Sequence, residues 1–141
     1  MEKLNQLLSG RQPHFISIIP GASIRDALCR MSTLNTDYLI VMDGKNQFLG
    51  LLTEKDIARK ALFPERSLND TTVSDLMSTK WPFADIHTTV DECMQTMKAH
   101  HVNYIPVFDN LEFVGVISGE DILQEAVKNR EEIFDGKHVG R

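Results

Sequence analysis

Apolar positions recur along this chain with the two spacings that distinguish helices from buried strands. Positions 24, 27, 28, 31 and 34 are apolar at the i, i+3/i+4, i+7 spacing of an amphipathic helix, and Ser23 before them is a suitable N-cap. Two apolar runs follow at 38–42 and 48–52, and a polar turn that begins at Asp43 separates them. This pattern predicts a β-hairpin. Because both runs are apolar throughout, we expect a sheet that is covered on both faces.

The second half of the chain repeats this order of elements. With an offset of 66 residues Tyr38 aligns with Tyr104, and with an offset of 65, after one residue is lost in a turn, Asp56 aligns with Asp121. The matches keep their order and residue type, so the chain is interpreted as two copies of one unit. The residue pattern of each copy predicts a short strand, a helix, two strands and a helix, in that order. This is a mixed α/β (α+β) fold.

The repeat also predicts how the chain is divided. We expect an N-terminal extension with a helical turn or two (1–12), a first repeat (13–62), a polar linker (63–75), a second repeat (76–128) and a C-terminal helix end and tail (129–141). The second helices are expected at about 54–62 and 119–134. Three strands and two helices are too few to bury their own apolar surface securely. We therefore expect the copies to pack together about a pseudo-two-fold axis.

Composition and charge narrow the class of protein. The 141 residues are 42% hydrophobic and 25% charged, as in ordinary soluble domains. No apolar run approaches a membrane span, and the N-terminus does not resemble a signal peptide, so we expect a cytoplasmic protein without a membrane partner. The net charge of −5, without a cluster of basic residues, argues against nucleic-acid binding. Cys29 and Cys93 lack metal or redox spacing, and we expect both in the core.

Each copy places a hydroxyl and a carboxylate where its last strand meets its last helix. These are Thr53 and Asp56 in the first copy, and Ser118 and Asp121 in the second. Ser/Thr-x-x-Asp is a capping-box pattern that satisfies free N–H groups at a helix start. A helix start also attracts phosphate, and a carboxylate can accept hydrogen bonds from both hydroxyls of a ribose. The pattern therefore fits a helix cap, an adenosine-phosphate pocket, or both.

At this point the sequence resembles a known family. The order strand–helix–strand–strand–helix, the strand from Tyr104 to Asp109 and the repeated Gly-h-h-Thr/Ser-x-x-Asp-Ile signature, where h is apolar, resemble a tandem pair of cystathionine-β-synthase-type (CBS) domains, or Bateman module. The resemblance covers about residues 13–62 and 76–128. It implies β-α-β-β-α repeats, a homodimer, and adenosyl ligands such as AMP, ADP, ATP or S-adenosylmethionine in clefts between the copies. Such a ligand is regulatory, and no cofactor is required.

The resemblance also implies roles for individual residues. Asp56 and Asp121 would hold ribose, and Thr53 and Ser118 would lie on the phosphate side. The other implied nucleotide-binding residues lie in two places in each copy. The segments that enter the first strands contribute Ser17 and Ile18, which follow Phe15 in the same segment, and Lys80, Trp81, Pro82 and Phe83. The starts of the middle strands contribute Tyr38, Asn103, Tyr104, Ile105 and Pro106.

Two departures from the family pattern predict that the two sites are unequal. Ile40 stands where the second copy has the proline usual in the family, Pro106. Phe83 stands where the first copy has a small hydroxyl residue, Ser17, as is usual. One of the two sites is therefore expected to be empty or to differ in selectivity.

The remaining chemistry-bearing residues leave alternatives open. Adjacent histidines at 100 and 101 point in different directions from a helix end, so no metal site is expected with them and His87. His101 and Lys55 are candidate phosphate partners, as is Lys80, although solvated positions also explain the lysines. Trp81 could stack on a base or close the edge of the core. The apolar stripe of the last helix extends beyond Val127, which suggests a dimer contact.

Three classes of function follow from these observations. The first is an adenosine-nucleotide sensor whose two copies change their relative arrangement when ligand binds. The second is a dimeric interaction module with vestigial clefts, which binds an unknown protein client. The third is an enzyme, which we do not expect because the sequence shows no nucleophile–base pair, no P-loop and no metal constellation. Titration with nucleotides distinguishes the first class from the second.

Overall fold

Two units, each built on one three-stranded sheet, make up the computed structural model, which describes residues 3–8, 16–62 and 64–139. The first unit lies between Gln12 and Trp81, and the second follows from Pro82. The N-terminal helix α1 (Leu4–Leu8) belongs to the second unit. This arrangement confirms the mixed α+β class. Of the predicted site segments, Phe15 lies outside the described residues.

The first unit follows the predicted order of elements. They are β1 (Ser17–Ile18), α2 (Ile24–Leu34), β2 (Tyr38–Met42), β3 (Phe48–Thr53) and α3 (Glu54–Ile57), which continues as a π-helical turn (Ala58–Leu62). The sheet order is β1-β2-β3, with β1 parallel to β2 and β2 antiparallel to β3. All five residues of β2 are buried, which agrees with a central strand covered on both faces.

In helix α2, residues at the predicted apolar spacing pack against the core of the first unit. Ser23 caps it by accepting a hydrogen bond from the Asp26 N–H, and the helix ends at Asn35 in a left-handed conformation. Ile24 and Met31 face the core on the predicted side. Cys29 is exposed on another side of the helix, so the expectation of a core position for this cysteine was wrong. The apolar spacing does not include position 29, and the helix turns its side chain to solvent.

The second unit repeats the first. Its elements are β4 (Ala84–Asp85), α5 (Val90–His100), β5 (Tyr104–Asp109), β6 (Glu112–Ser118) and α6 (Gly119–Val139), with sheet order β4-β5-β6. Cys93 is fully buried in its core, as expected, and this burial raises the pKa of the thiol to about 11. Leu4 and Leu7 of α1 complete that core. No helix among the described residues is both long and apolar enough to span a membrane.

The segment between the repeats is folded rather than only polar. Helix α4 (Val73–Leu76) begins at Thr72 with a capping box, and both its terminal residues are fully buried in the core of the first unit. Beyond it, Ser78 exchanges two backbone hydrogen bonds with Leu51 of β3 (3.1 and 2.9 Å). Gly50 is needed beside this contact, because an added Cβ would overlap the Ser78 carbonyl oxygen.

Candidate functional site

The start of α3 is held by a closed set of hydrogen bonds. The Asp56 N–H donates to Thr53 Oγ1 (3.1 Å), while the Thr53 N–H and hydroxyl donate to Asp56 Oδ2 (3.3 and 3.0 Å). Thr53 is 7% exposed and pairs with Tyr38 across the sheet, so the strand fixes where the helix begins. The second carboxylate oxygen, Oδ1, lies 3.7 Å from Nζ of Lys60.

The start of α6 has the same construction. The Ser118 N–H donates to Asp121 Oδ2 (2.8 Å), and the Asp121 N–H donates to Ser118 Oγ (3.0 Å). Ser118 is buried and pairs with Tyr104, as Thr53 pairs with Tyr38. The capping interpretation is therefore confirmed at both helix starts. The role of these residues toward a ligand stays a prediction.

A backbone contact ties each helix start to the neighbouring strand. The Glu54 N–H donates to the Asp37 carbonyl oxygen (3.0 Å), and the Gly119 N–H donates to the Asn103 carbonyl oxygen (2.9 Å). Residues 37 and 103 immediately precede the middle strands. The predicted segments before β2 and β5 thus lie directly beside the two hydroxyl–carboxylate pairs.

Two further capping boxes show that the motif alone does not identify a ligand site. Thr72 and Asp75 form one at α4, and Thr89 and Glu92 form another at α5. At the exposed Asp75, the hydrogen bond from the Thr72 N–H is the main cause of a lowered carboxyl pKa, with smaller contributions from the Thr72 hydroxyl and the Arg66 charge. What separates the starts of α3 and α6 is their position directly after a buried strand.

A cavity of about 610 Å³ lies beside the start of α6. Asn103 and Gly119 line it where it reaches the candidate site, and Ile122, the residue after Asp121, lines it farther along α6. The rest of its lining comes from the end of α5 and the residues that follow: Met94, Met97, Lys98, His101 and Val102. Its volume lies in the range of small-molecule sites.

The sequence did not single out Lys98 or the apolar wall of this cavity. Met94, Met97, Lys98 and His101 follow one another at i, i+3, i+4 and i+7, so they share one face of α5. The sequence contained this signal, but it predicted only an apolar face toward the core. His101, which was predicted as a phosphate partner, does line the cavity.

Ser17 and Ile18 lie away from the hydroxyl–carboxylate pair of the first unit. Ser17 pairs with Ile40 and Ile18 pairs with Val41, farther along the sheet than the Tyr38–Thr53 pair. Both residues line a separate cavity of about 370 Å³ at the hairpin end, where Asp43 and Arg30 also contribute. The Arg30 Nε donates to the Ser17 carbonyl oxygen (2.7 Å).

The segment predicted to bracket a base in the second repeat is divided between the units. Lys80 is exposed, and Trp81 is half-buried with its Nε1–H donating to the Ser78 carbonyl oxygen (3.0 Å). Pro82 begins the second unit. Phe83 is 73% exposed, and its ring packs edge-on against Phe108 with centroids 5.9 Å apart. Phe83 therefore offers an open aromatic surface.

The predicted nucleotide-binding residues of β5 are all buried, but their surroundings differ. Ile105 is fully buried in the core cluster that contains Cys93 and Ile117. Tyr104 is 9% exposed at the start of the strand beside Ser118, and Pro106 is buried and pairs with Val116. The side chain of Ile105 is thus part of the core of the unit in this structure.

Comparison with known proteins agrees with this architecture. The protein-family description that matches is the CBS domain, over residues 11–62 and 73–128. CBSCBSPB1 of Arabidopsis thaliana is 28% identical over 116 residues, which are 82% of this chain and 21% of that protein. The mitochondrial protein CBSX3 of Arabidopsis thaliana is 31% identical over 116 residues, 79% of this chain and 56% of that protein. The chain thus spans only about a fifth to a half of these relatives.

Among solved structures, a protein from Burkholderia ambifaria MC40-6 has a similar fold along most of both chains. It is a protein with CBS domains described as a candidate signal-transduction protein, with 28% identity and a TM-score of 0.79 over 89% of this chain and 94% of that chain. The two matched segments also contain the two three-stranded sheets and both hydroxyl–carboxylate pairs. The chain therefore belongs to the CBS-domain family and carries two CBS domains in tandem.

Proposed function

We propose that this protein is a regulatory module that binds adenosine nucleotides, or the related ligand S-adenosylmethionine, at its strand-to-helix junctions. One observation carries the proposal: each repeat holds a buried hydroxyl and a half-buried carboxylate at a helix start that directly follows a buried strand. In the second repeat this start adjoins a cavity large enough for a nucleotide-sized ligand. Proteins built on tandem CBS domains are regulatory modules, which supports a sensing role.

The chemistry of each pair suits one part of a nucleotide. A carboxylate has about four acceptor positions, so Asp121 can accept from ribose hydroxyls while its Oδ2 continues to cap the helix. The Ser118 hydroxyl accepts from the Asp121 N–H, so its own proton can be donated to a phosphate oxygen. Tyr104 and Asn103 lie beside this pair and would border the sugar. Thr53 and Asp56 are the matching residues of the first repeat, but there the Thr53 hydroxyl donates to Asp56 Oδ2 and Lys60 lies near Asp56 Oδ1, so a ligand would have to replace these contacts.

Signalling requires that the ligand bind one arrangement of the protein more tightly than another. We propose that the arrangement that changes is that of the repeats or of a homodimer. Exposed apolar side chains support self-association: Leu123 and Val127 lie one turn apart on α6 and are 64% and 50% exposed, and Met94 on α5 is 49% exposed. Helices α5 and α6 are in contact, so these side chains can form one surface for a second copy.

Calorimetric titration tests the assignment. AMP, ADP, ATP and S-adenosylmethionine are each titrated into the wild-type chain and into the Asp121→Ala and Asp56→Ala variants. At a repeat that binds ligand, loss of the carboxylate should weaken binding by about 1.5–3 kcal/mol, roughly 10- to 160-fold, because charge-assisted hydrogen bonds to ribose are lost. Unequal effects of the two variants are expected, since the repeats differ at Ile40 and Phe83.

Asp75→Ala is the matched control. It removes the N3 carboxylate from a capping box of the same pattern at α4, so it causes the same kind of loss in helix capping without touching a proposed ligand site. Affinity should be unchanged in this variant. Binding that is insensitive to both Asp56→Ala and Asp121→Ala would refute the site. A dimeric protein that binds none of the four compounds would support the interaction module instead.

A further inference from the structure

The cavity beside α6 combines an apolar wall with the basic side chains of Lys98 and His101. Lys98 and His101 lie one turn apart at the end of α5, and no carboxylate belongs to the described lining of the cavity. Glu120 is close in sequence but lies outside the lining, and its carboxylate accepts a hydrogen bond from the Gln124 amide (3.4 Å). The charged part of the lining is therefore suited to an anion.

The first repeat differs from the second at four matching positions that carry basic or acidic side chains in only one of the two repeats. Ser32 and Asn35 correspond to Lys98 and His101, and Asp37 and Glu54 correspond to the uncharged residues Asn103 and Gly119. The structure supports this alignment, because positions 35 and 101 both end their helix in the left-handed conformation. It also places the same backbone hydrogen bond between 54 and 37 as between 119 and 103. The second repeat thus has basic side chains at two positions where the first has uncharged residues, and the first has carboxylates at two positions where the second has none.

We propose that Lys98 and His101 make the second repeat selective for adenosine compounds that carry phosphate charge, over neutral adenosine and cationic S-adenosylmethionine. This inference rests on the proposed function, since it assumes that the adenosine portion lies at the start of α6. Phosphate that extends from Ser118 would enter the cavity at Gly119, and Lys98 and His101 belong to the lining of the same cavity. The carboxylates of Asp37 and Glu54 would disfavour the same phosphate in the first repeat.

Variants that exchange residues between the repeats test the proposal with little risk to folding. Lys98→Ser and His101→Asn give the second repeat the residues of the first, and both positions are exposed. Asparagine tolerates the left-handed conformation that His101 adopts (φ 53°). Lys128→Ser is the matched control, because it removes an exposed positive charge from α6 outside the cavity lining.

The measurement is calorimetric titration with adenosine, AMP, ADP, ATP and S-adenosylmethionine at low and high salt. Wild-type affinity should rise from adenosine through ATP, and the gain should shrink at high salt. Lys98→Ser should weaken ADP and ATP binding by roughly fivefold at low salt, the order of one exposed ion pair. His101→Asn should add to this loss. Adenosine affinity should stay unchanged in both variants, and all affinities should stay unchanged in Lys128→Ser.

The outcomes separate this inference from the proposed function. If adenosine binds in a way that depends on Asp121 but phosphate adds nothing, or if Lys98→Ser and Lys128→Ser have equal effects, the charge selectivity is refuted and the site stands. Tighter binding of S-adenosylmethionine than of ATP at the Asp121-dependent site would also refute it. If none of the five compounds binds, both the selectivity and the proposed function are refuted.

Discussion

Replacement of Gly50 by alanine tests how the segment after α4 is held against the first sheet. Gly50 lies in β3, three residues before the capping residue Thr53. Its missing side chain leaves room for the Ser78 carbonyl oxygen, which an added Cβ would overlap. The contact is backbone against backbone, so no side-chain rotation can relieve it. The strand and the segment at 78 must therefore move apart in Gly50→Ala.

The cost can be worked from the contacts that this movement strains. Ser78 and Leu51 exchange hydrogen bonds of 3.1 and 2.9 Å, and the Ser78 carbonyl also accepts from the indole of Trp81 (3.0 Å). Net contributions of about 0.5–1.5 kcal/mol per hydrogen bond give a loss of about 1.5–4.5 kcal/mol if all three are lost. Alanine recovers about 0.5–1 kcal/mol in a strand relative to glycine. We expect a net destabilisation of about 0.5–4 kcal/mol, the upper end applying if all three hydrogen bonds are lost.

Urea unfolding and the fluorescence of Trp81, the single tryptophan, report the two parts of this prediction. Gly50→Ala should lower the free energy of unfolding and shift the tryptophan emission of the folded protein, since the indole loses its acceptor. Gly44→Ala is the control, because nothing lies within 4 Å of a Cβ added at Gly44. Equal stability and equal emission spectra for the two variants would show that Ser78 does not pack against β3 as described.

Three further predictions concern stability and reactivity. Asp75→Asn should lower the melting temperature at pH 7, because folding lowers the pKa of Asp75 and so favours its ionised form. The stability that the ionised carboxylate contributes is present above about pH 4 and is lost as the pH falls through the folded pKa. The difference in melting temperature between wild type and variant should therefore narrow in acid. Cys93, with a pKa of about 11, should resist a thiol reagent that modifies the exposed Cys29 in the native protein, and mass spectrometry should find both modified only after unfolding. Leu76→Ala should cost about 2–5 kcal/mol in chemical denaturation, since this side chain is fully buried; a loss below that range would contradict its place in the core.

The fold was largely predictable because local patterns and the internal repeat agree. Helices α2 and α5 begin at Ser23 and Thr89 in the aligned halves, and each hairpin follows from two apolar runs around a polar turn. The segment 63–75 was predicted only as a linker, although Thr72 and Asp75 form the same capping pattern that was recognised elsewhere. Helix α1 packs in the core of the second unit and α4 in the core of the first. No local pattern predicts this packing, because it depends on contacts between segments far apart in sequence.

The candidate site was predictable only in its local part. A capping pair depends on residues three apart, so Thr53 with Asp56 and Ser118 with Asp121 could be paired from the sequence alone. The cavity depends on how the end of α5 lies beside the start of α6, and Lys98 enters it through that packing. The apolar residues near it were predicted only as core positions. Periodicity identifies which face of a helix is apolar, but it does not show where two faces leave a gap.

Helix capping and ligand binding place compatible demands on the same side chains. A capping box holds its hydroxyl and its carboxylate in one geometry. At the two junctions, hydrogen bonds of 2.8–3.3 Å hold them in this way. At α6, a ligand that accepts from the Ser118 hydroxyl and donates to the Asp121 carboxylate then meets groups that need no further ordering, which reduces the entropic cost of binding. At α4 the same cap exists without a preceding buried strand. The strand, which brings residue 37 or 103 beside the helix start, is therefore what can turn a capping box into a binding site.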